Sequence, residues 1–218
     1  MKIRLRIISI SFVLLSSCTS ENSPSNYRNP ATGDLNSSFA NPKESQSDRS
    51  PEKEYQLEKE KLVAEGWEQK DMENGLMPSC YNFLPAYDKS VDNYLQVNVG
   101  GGTDVVIKLM DVQTDKCVRY VFINSRSSYK LSNIPQRRFY LKIAYGKEWL
   151  SRINNEQCVG KFLRNPLYEK GEEVMDFKIR NTLDGYSVPS YQLSLDVVSS
   201  NLMNSFSSHN ISEGEFNE

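Results

Sequence analysis

Between residues 94 and 197 apolar and polar side chains alternate with a period of two. Leu95, Val97 and Val99 alternate with Tyr94, Gln96 and Asn98, and Val105, Ile107 and Leu109 with Val106, Lys108 and Met110. The pattern returns in Phe139, Leu141, Ile143 and Tyr145, then in Met175, Phe177 and Ile179, and last in Tyr191, Leu193, Leu195 and Val197. A two-residue period places one apolar face on each strand. With the runs at 117–124 and 127–131, about seven strands follow one another at short spacing, with no amphipathic helix between them. This predicts an all-β fold, an antiparallel β-sandwich, because an α/β sheet would need crossover helices.

Ahead of the strands the pattern changes. Ser50-Pro51-Glu52 supplies an N-cap residue, a proline for the first helical position and a first-turn carboxylate, and the helix formers EKEYQLEKEKLVAE follow until Gly66. Tyr55, Leu62 and Val63 make only a thin apolar stripe, so this helix depends on packing against something else. Residues 19–51 hold eight Ser, five Asn and four Pro, too little apolar surface to bury, and read as a disordered tether. As a flexible coil it reaches about 30 Å.

The first residues, MKIRLRIISISFVLLSSC, place three cations before an apolar run from Ile7 to Leu15. That run is about half of what a bilayer-spanning helix needs, so the segment predicts a signal peptide. Leu15-Ser16-Ser17-Cys18 resembles the bacterial lipobox. The resemblance implies cleavage between Ser17 and Cys18, lipidation of Cys18 and a membrane anchor, and Thr19 in place of an Asp leans toward the outer membrane. The predicted organisation is a signal peptide at 1–17, lipidated Cys and linker at 18–51, helix and connector at 52–77, sandwich at 78–199 and a flexible tail at 200–218. The whole arrangement resembles lipoproteins of the Bacteroidota.

Residues 129–141, YKLSNIPQRRFYL, resemble the strand, N-x-P turn and aromatic strand of transthyretin-like domains, also called carboxypeptidase-regulatory-like modules. That resemblance implies a sandwich used as a spacer, adhesin segment or binding domain. Where those families commonly carry a glycine this chain has Arg137, so a left-handed backbone there would cost energy.

Composition narrows the chemistry. The 26 Lys+Arg against 28 Asp+Glu exclude a nucleic-acid binder driven by net charge, and loss of residues 1–17 would leave 23 against 28. The sole histidine, His209, falls in the polar tail, away from any apolar support for a triad or zinc site. The glycines at 100–102 lack the Lys-Ser/Thr of a phosphate loop and precede a strand. No catalytic residue, metal site or cofactor is predicted. Of the cysteines left after lipidation, Cys80 and Cys158 are the preferred disulfide and Cys117 a buried free thiol. From Lys116 to Lys170 there are twelve Lys/Arg and three Glu, interleaved with aromatics. Tyr140, Lys142, Trp149 and Arg119 are the candidate ligand face, fit for an acidic glycan or an envelope protein, and the competing reading makes them solvated outer-face residues, with Trp149 capping an open end of the sandwich. The expected function is a lipid-anchored, non-catalytic interaction or structural module; the alternative is an envelope enzyme acting on glycans or peptides through carboxylates distant in sequence.

Overall fold

The structure is a computed structural model that describes residues 50–77, 80–81, 84–198, 201–202 and 206–218. The expected signal segment, Ser17, Cys18 and nearly all of the tether lie outside the described residues. Helix α1 (Pro51–Ala64) starts at the N-cap Ser50, whose hydroxyl accepts from Lys53 N–H, and ends where Gly66 turns left-handed at φ 84°. The strands follow in chain order: β1 (Glu68–Gln69), β2 (Tyr94–Val99), β3 (Asp104–Asp111), β4 (Cys117–Ile123), β5 (Ser128–Ser132), β6 (Arg138–Asn154) and β7 (Gln157–Gly171). After them come β8 (Met175–Asp176), β9 (Arg180–Thr182), β10 (Gly185–Ser187), β11 (Tyr191–Leu195), β12 (Val197–Val198), β13 (Asn201–Leu202), β14 (Ser208–Asn210) and helix α2 (Glu213–Asn217).

These strands build the expected β-sandwich. The larger sheet runs β14-β7-β6-β3-β4, with β1 and β8 also paired to β6, and the smaller runs β11-β2-β5. Its pairs are antiparallel with one departure: β11 lies parallel to β2, with Leu193 beside Val97. The alternating residues meet between the sheets, where Leu95 and Val97 of β2 pack with Ile107 and Leu109 of β3 and with Phe139, Leu141, Ile143 and Tyr145 of β6. The long hairpin of β6 and β7 projects past this core, and α1 lies on it through Leu62, Trp67, Leu150 and Leu163. Among the described residues no helix is long and apolar enough to cross a membrane.

The outer face of the larger sheet is also covered. Val106, Tyr120, Phe122, Ala144, Trp149, Phe162 and Tyr168 form a second core with Phe216, under the cover of Met72, Met77 and Tyr81. The segment expected to trail as a flexible tail, 200–218, supplies part of that cover. Its strand β14 pairs with β7, placing His209 beside Lys170, and α2 is closed by a capping box between Ser212 and Glu215. Phe216 is fully buried. Burial of that ring and the strand pairing outweigh the solvated composition of the segment.

One rung of the sheet explains why this docking is specific. Lys108 of β3 stands opposite Lys142 of β6, which stands opposite Lys170 of β7. Like charges side by side on a sheet repel, and two of these lysines are buried. The C-terminal end of α2 answers both: Lys108 Nζ donates to Phe216 O and Lys142 Nζ to Glu215 O, each at 2.6 Å. Carbonyls at a helix C-terminus carry partial negative charge, so cations are favoured there. Around Lys108 Nζ lie the rings of Phe216 at 4.8 Å, Tyr81 at 5.7 Å and Tyr120 at 5.8 Å.

Burial lowers the pKa of Lys108 to about 8; a Cys117 thiolate would oppose this and Lys142 adds to it. Below pH 8 folded and unfolded chains both hold that proton, whereas above it the unfolded chain holds more, so stability rises with pH. Between pH 8 and 9 Lys108 alone contributes a gain of about 1 kcal/mol. Cys117 opposes this from about pH 8.5 upward, because burial raises that thiol to about 11 and the fold then keeps a proton that the unfolded chain loses. Urea unfolding of the native chain and of Lys108→Met at pH 7, 8 and 9 checks this: between pH 8 and 9 the native chain is expected to gain about 1 kcal/mol relative to the variant, in which only the fall from Cys117 remains. Parallel profiles would mean that the three rings hold the charge as well as water does.

Candidate functional site

The four residues proposed as an exposed ligand face are all buried. Tyr140 donates its hydroxyl to Asp115, and burial together with that carboxylate pushes its pKa far up. Lys142 is spent on the end of α2. Trp149 packs edge-on against Phe162, centroids 4.8 Å apart, and over Gly160, where an added Cβ would lie 2.1 Å from Cζ2 of the indole. Arg119 is 5% exposed and donates from Nη1 to Ser132 O at 3.1 Å. Lys142 and Trp149 belong to the covered outer face, Tyr140 is tied to Asp115, and Arg119 lies on the face of Leu109 and reaches the smaller sheet. The candidate face is corrected: outward-pointing Lys142 and Trp149 are not solvent-facing, because the C-terminal segment, Met72, Met77 and Tyr81 cover that side of the sheet. The other chemical candidates also sit in structural roles. Cys80 and Cys158 form a disulfide with Cα atoms 5.3 Å apart, and Cys117 is a free thiol that donates to Arg119 O. His209 sits on the edge strand β14, 3.6 Å from Glu172. Among the described residues no three His, Cys, Asp or Glu side chains gather as metal ligands.

Among the clefts lined by described residues are two of about 510 Å³ each. One lies along Lys147–Trp149 of β6 and the facing Arg164 of β7. Most of its charges are paired: Lys147 contacts Asp104 at 2.8 Å and Ser125 Oγ at 2.9 Å, and Glu148 forms an ion pair with Arg164 Nε at 2.9 Å and accepts from Lys59 Nζ at 3.2 Å. Burial alone would raise the Glu148 pKa, but the hydrogen bonds from Tyr55 and Lys59 and the nearby cations outweigh it and hold it low. Glu148 takes φ 61° to reach these partners. Such a closed set ties α1 to the hairpin rather than presenting charge to a ligand.

The other cleft lies beside the N-x-P turn. Asn93, fully buried, donates to Ile134 O at 2.8 Å and accepts from Ile134 N–H at 2.7 Å, and Asp88 N–H donates to Asn133 O at 2.8 Å. These bonds sew residues 86–93 against the turn. The left-handed residue of that turn is Asn133 at φ 55°, a residue that tolerates it, while Arg137 is not left-handed. Arg137 is thus freed from the strain expected at its position and used as a side chain. Its Nη1 bonds Asp111 at 3.1 Å while the side chain stays 61% exposed. Burial would raise Asp111, yet bonds from Arg137 and from the Thr114 and Gln113 N–H groups hold its pKa low.

Across the cleft stands Tyr87, 55% exposed, with the buried Arg119 guanidinium stacked on its ring at 4.1 Å. Lys89 lines the same cleft and Pro135 and Val118 add apolar wall. Asp88 is the one carboxylate in the lining, and bonds from the Ser90 hydroxyl, Gln136 and Ser90 N–H keep its pKa below the usual range. The result is a fixed aromatic platform beside two exposed cations. Sequence reasoning singled out Arg119 but missed Tyr87, Lys89 and Arg137; residues 84–93 carry no periodicity that would expose them. Comparison with family models, curated proteins and solved structures finds no match for this chain.

Proposed function

We propose that this chain is a lipid-anchored envelope protein, of the type found in Bacteroidota, whose transthyretin-like sandwich binds an acidic glycan without transforming it. The observation that carries the reading is the Tyr87 ring, half exposed and backed by buried Arg119, facing the same cleft as Arg137 and Lys89. The C–H face of a sugar ring packs on an aromatic surface, and a carboxylate on that sugar would meet the guanidinium. A ring already fixed by stacking loses little freedom on binding, which favours affinity from a small contact. Oxidising surroundings fit the disulfide, and the lipobox at Cys18 supplies the anchor.

The test uses uronic-acid and sialic-acid oligosaccharides on the mature chain at two salt concentrations. Binding is expected to fall at least tenfold, about 1.4 kcal/mol, in Tyr87→Ala. Arg137→Ala should remove most of the salt dependence; the unfolding midpoint is expected to stay close to native in Tyr87→Ala and to fall in Arg137→Ala, which strips buried Asp111 of its ion pair. Binding that survives Tyr87→Ala, or no binding to any acidic sugar, overturns the glycan reading and directs the search to protein partners. The anchor is tested separately: labelled palmitate should enter the native chain and not Cys18→Ser.

A further inference from the structure

The hairpin of β9 and β10 pairs with no other strand among those described. Asn181 stands opposite Tyr186 and Thr182 opposite Gly185, leaving Leu183 and Asp184 as a two-residue turn. Gly185, the first residue of β10, leaves that turn at φ 138°, a conformation that favours glycine. All strand residues here are exposed. Leu183 at the tip is fully exposed and Tyr186 is 71% exposed. A two-stranded hairpin alone is marginal in water, and an apolar tip adds nothing to it there. These side chains gain free energy only when something apolar receives them.

From tip to base the hairpin reads aliphatic, aromatic, cationic: Leu183, then Tyr186, then the exposed Arg180 and Lys178. A bilayer interface grades in the same order, from acyl chains through the carbonyl zone favoured by Tyr to the phosphates that attract cations. Arg180 is held from its own carboxylate Asp176 by 3.9 Å, a loose contact that a phosphate can replace. Asp184 beside the tip limits depth, since a carboxylate resists the hydrocarbon.

We propose that the β9–β10 hairpin is a membrane-contact finger that sets Leu183 and Tyr186 into the interfacial zone of the bilayer holding the lipidated Cys18. The inference rests on the anchor reading above. The tether expected from the sequence, with a reach of about 30 Å, would keep the domain near that surface at an effective concentration on the order of millimolar, so a contact too weak to recruit a free protein would operate on a tethered one.

The probe is L183W in the full lipidated chain, reconstituted in phosphatidylethanolamine/phosphatidylglycerol vesicles with and without brominated acyl chains. Trp67 and Trp149 are buried at 5% and 2% exposure, so their emission forms a constant background. The added emission is expected to shift blue, to be quenched at least twofold by the brominated lipid and to be shielded from acrylamide. L183W chains that float with the vesicles yet stay as open to acrylamide as in solution overturn the finger and leave the anchor standing. Chains that do not float overturn both. Shielding in intact cells but not on vesicles would also overturn it, and assign the finger to a protein.

Discussion

Replacing Phe216 with alanine is expected to lower the stability of the folded chain by about 3–5 kcal/mol. The ring is fully buried, with centroids 5.5 Å from Tyr168 and 6.4 Å from Trp149, and it lies under Lys108 Nζ. Its loss also weakens what holds Lys108 and Lys142, since both depend on the carbonyls of α2. A buried lysine left without its acceptor adds a desolvation penalty to the cavity. Because α2 has five residues, it can peel away instead of leaving a void, and water would then reach Trp149. Urea unfolding gives the first effect and the emission maximum the second, which should move red in the variant. A loss under about 1 kcal/mol with unchanged emission would show that the outer core does not need its cover.

What the chain discloses about itself follows from which forces are local. Alternation identifies β2, β3, β11 and the first half of β6, because each presents a clean apolar row to the inter-sheet core. It fails for β7, which no reading of periodicity picked out although it sits between β6 and β14 in the larger sheet. There Gly160, Pro166 and Asn165 at φ 50° break the rhythm. The second half of β6 hides for a like reason: Gly146 approaches Phe162 so closely that an added Cβ would lie 2.3 Å from it, and the pairing with β7 shifts register after Tyr145. Conversely Met175, Phe177 and Ile179 read as a full strand, yet only Met175 and Asp176 pair.

The site was less legible, and the physics of alternation says why. A period of two assigns Lys142 and Tyr140 to the outer face but is silent on what lies over that face. The cover comes from Met72, Met77, Tyr81 and α2, all far from β6 in sequence. One local signal for α2 is present: Ser212 and Glu215 have capping-box spacing, and Phe216 follows directly. Tyr87 has no such signal. Its exposure and its stacking on Arg119 depend on Asn93 and Asp88 gripping the N-x-P turn, a contact set that spans some forty residues.

Removing the Cys80–Cys158 bond is expected to cost about 2–4 kcal/mol, with a chain-entropy ceiling near 4.5 kcal/mol for its separation of 78 residues. The bond fixes more than a loop. It holds the residue beside Tyr81, whose ring stacks on Tyr120 at 4.1 Å and stands over Lys108. Reduction therefore loosens the same outer core that Phe216 covers from the other end. The two losses should couple: Phe216→Ala in a Cys80→Ser, Cys158→Ser background is expected to cost less than in the native chain. Exchange with the third thiol is not expected at pH 7. Burial pushes Cys117 up to about 11, so the thiolate that would attack the bond is scarce. Urea unfolding with and without reductant, set beside the double serine variant, measures the cost. Equal midpoints in all three would mean that segment 80–81 is held by Tyr81 alone and that the bond constrains a loop already ordered in the unfolded chain.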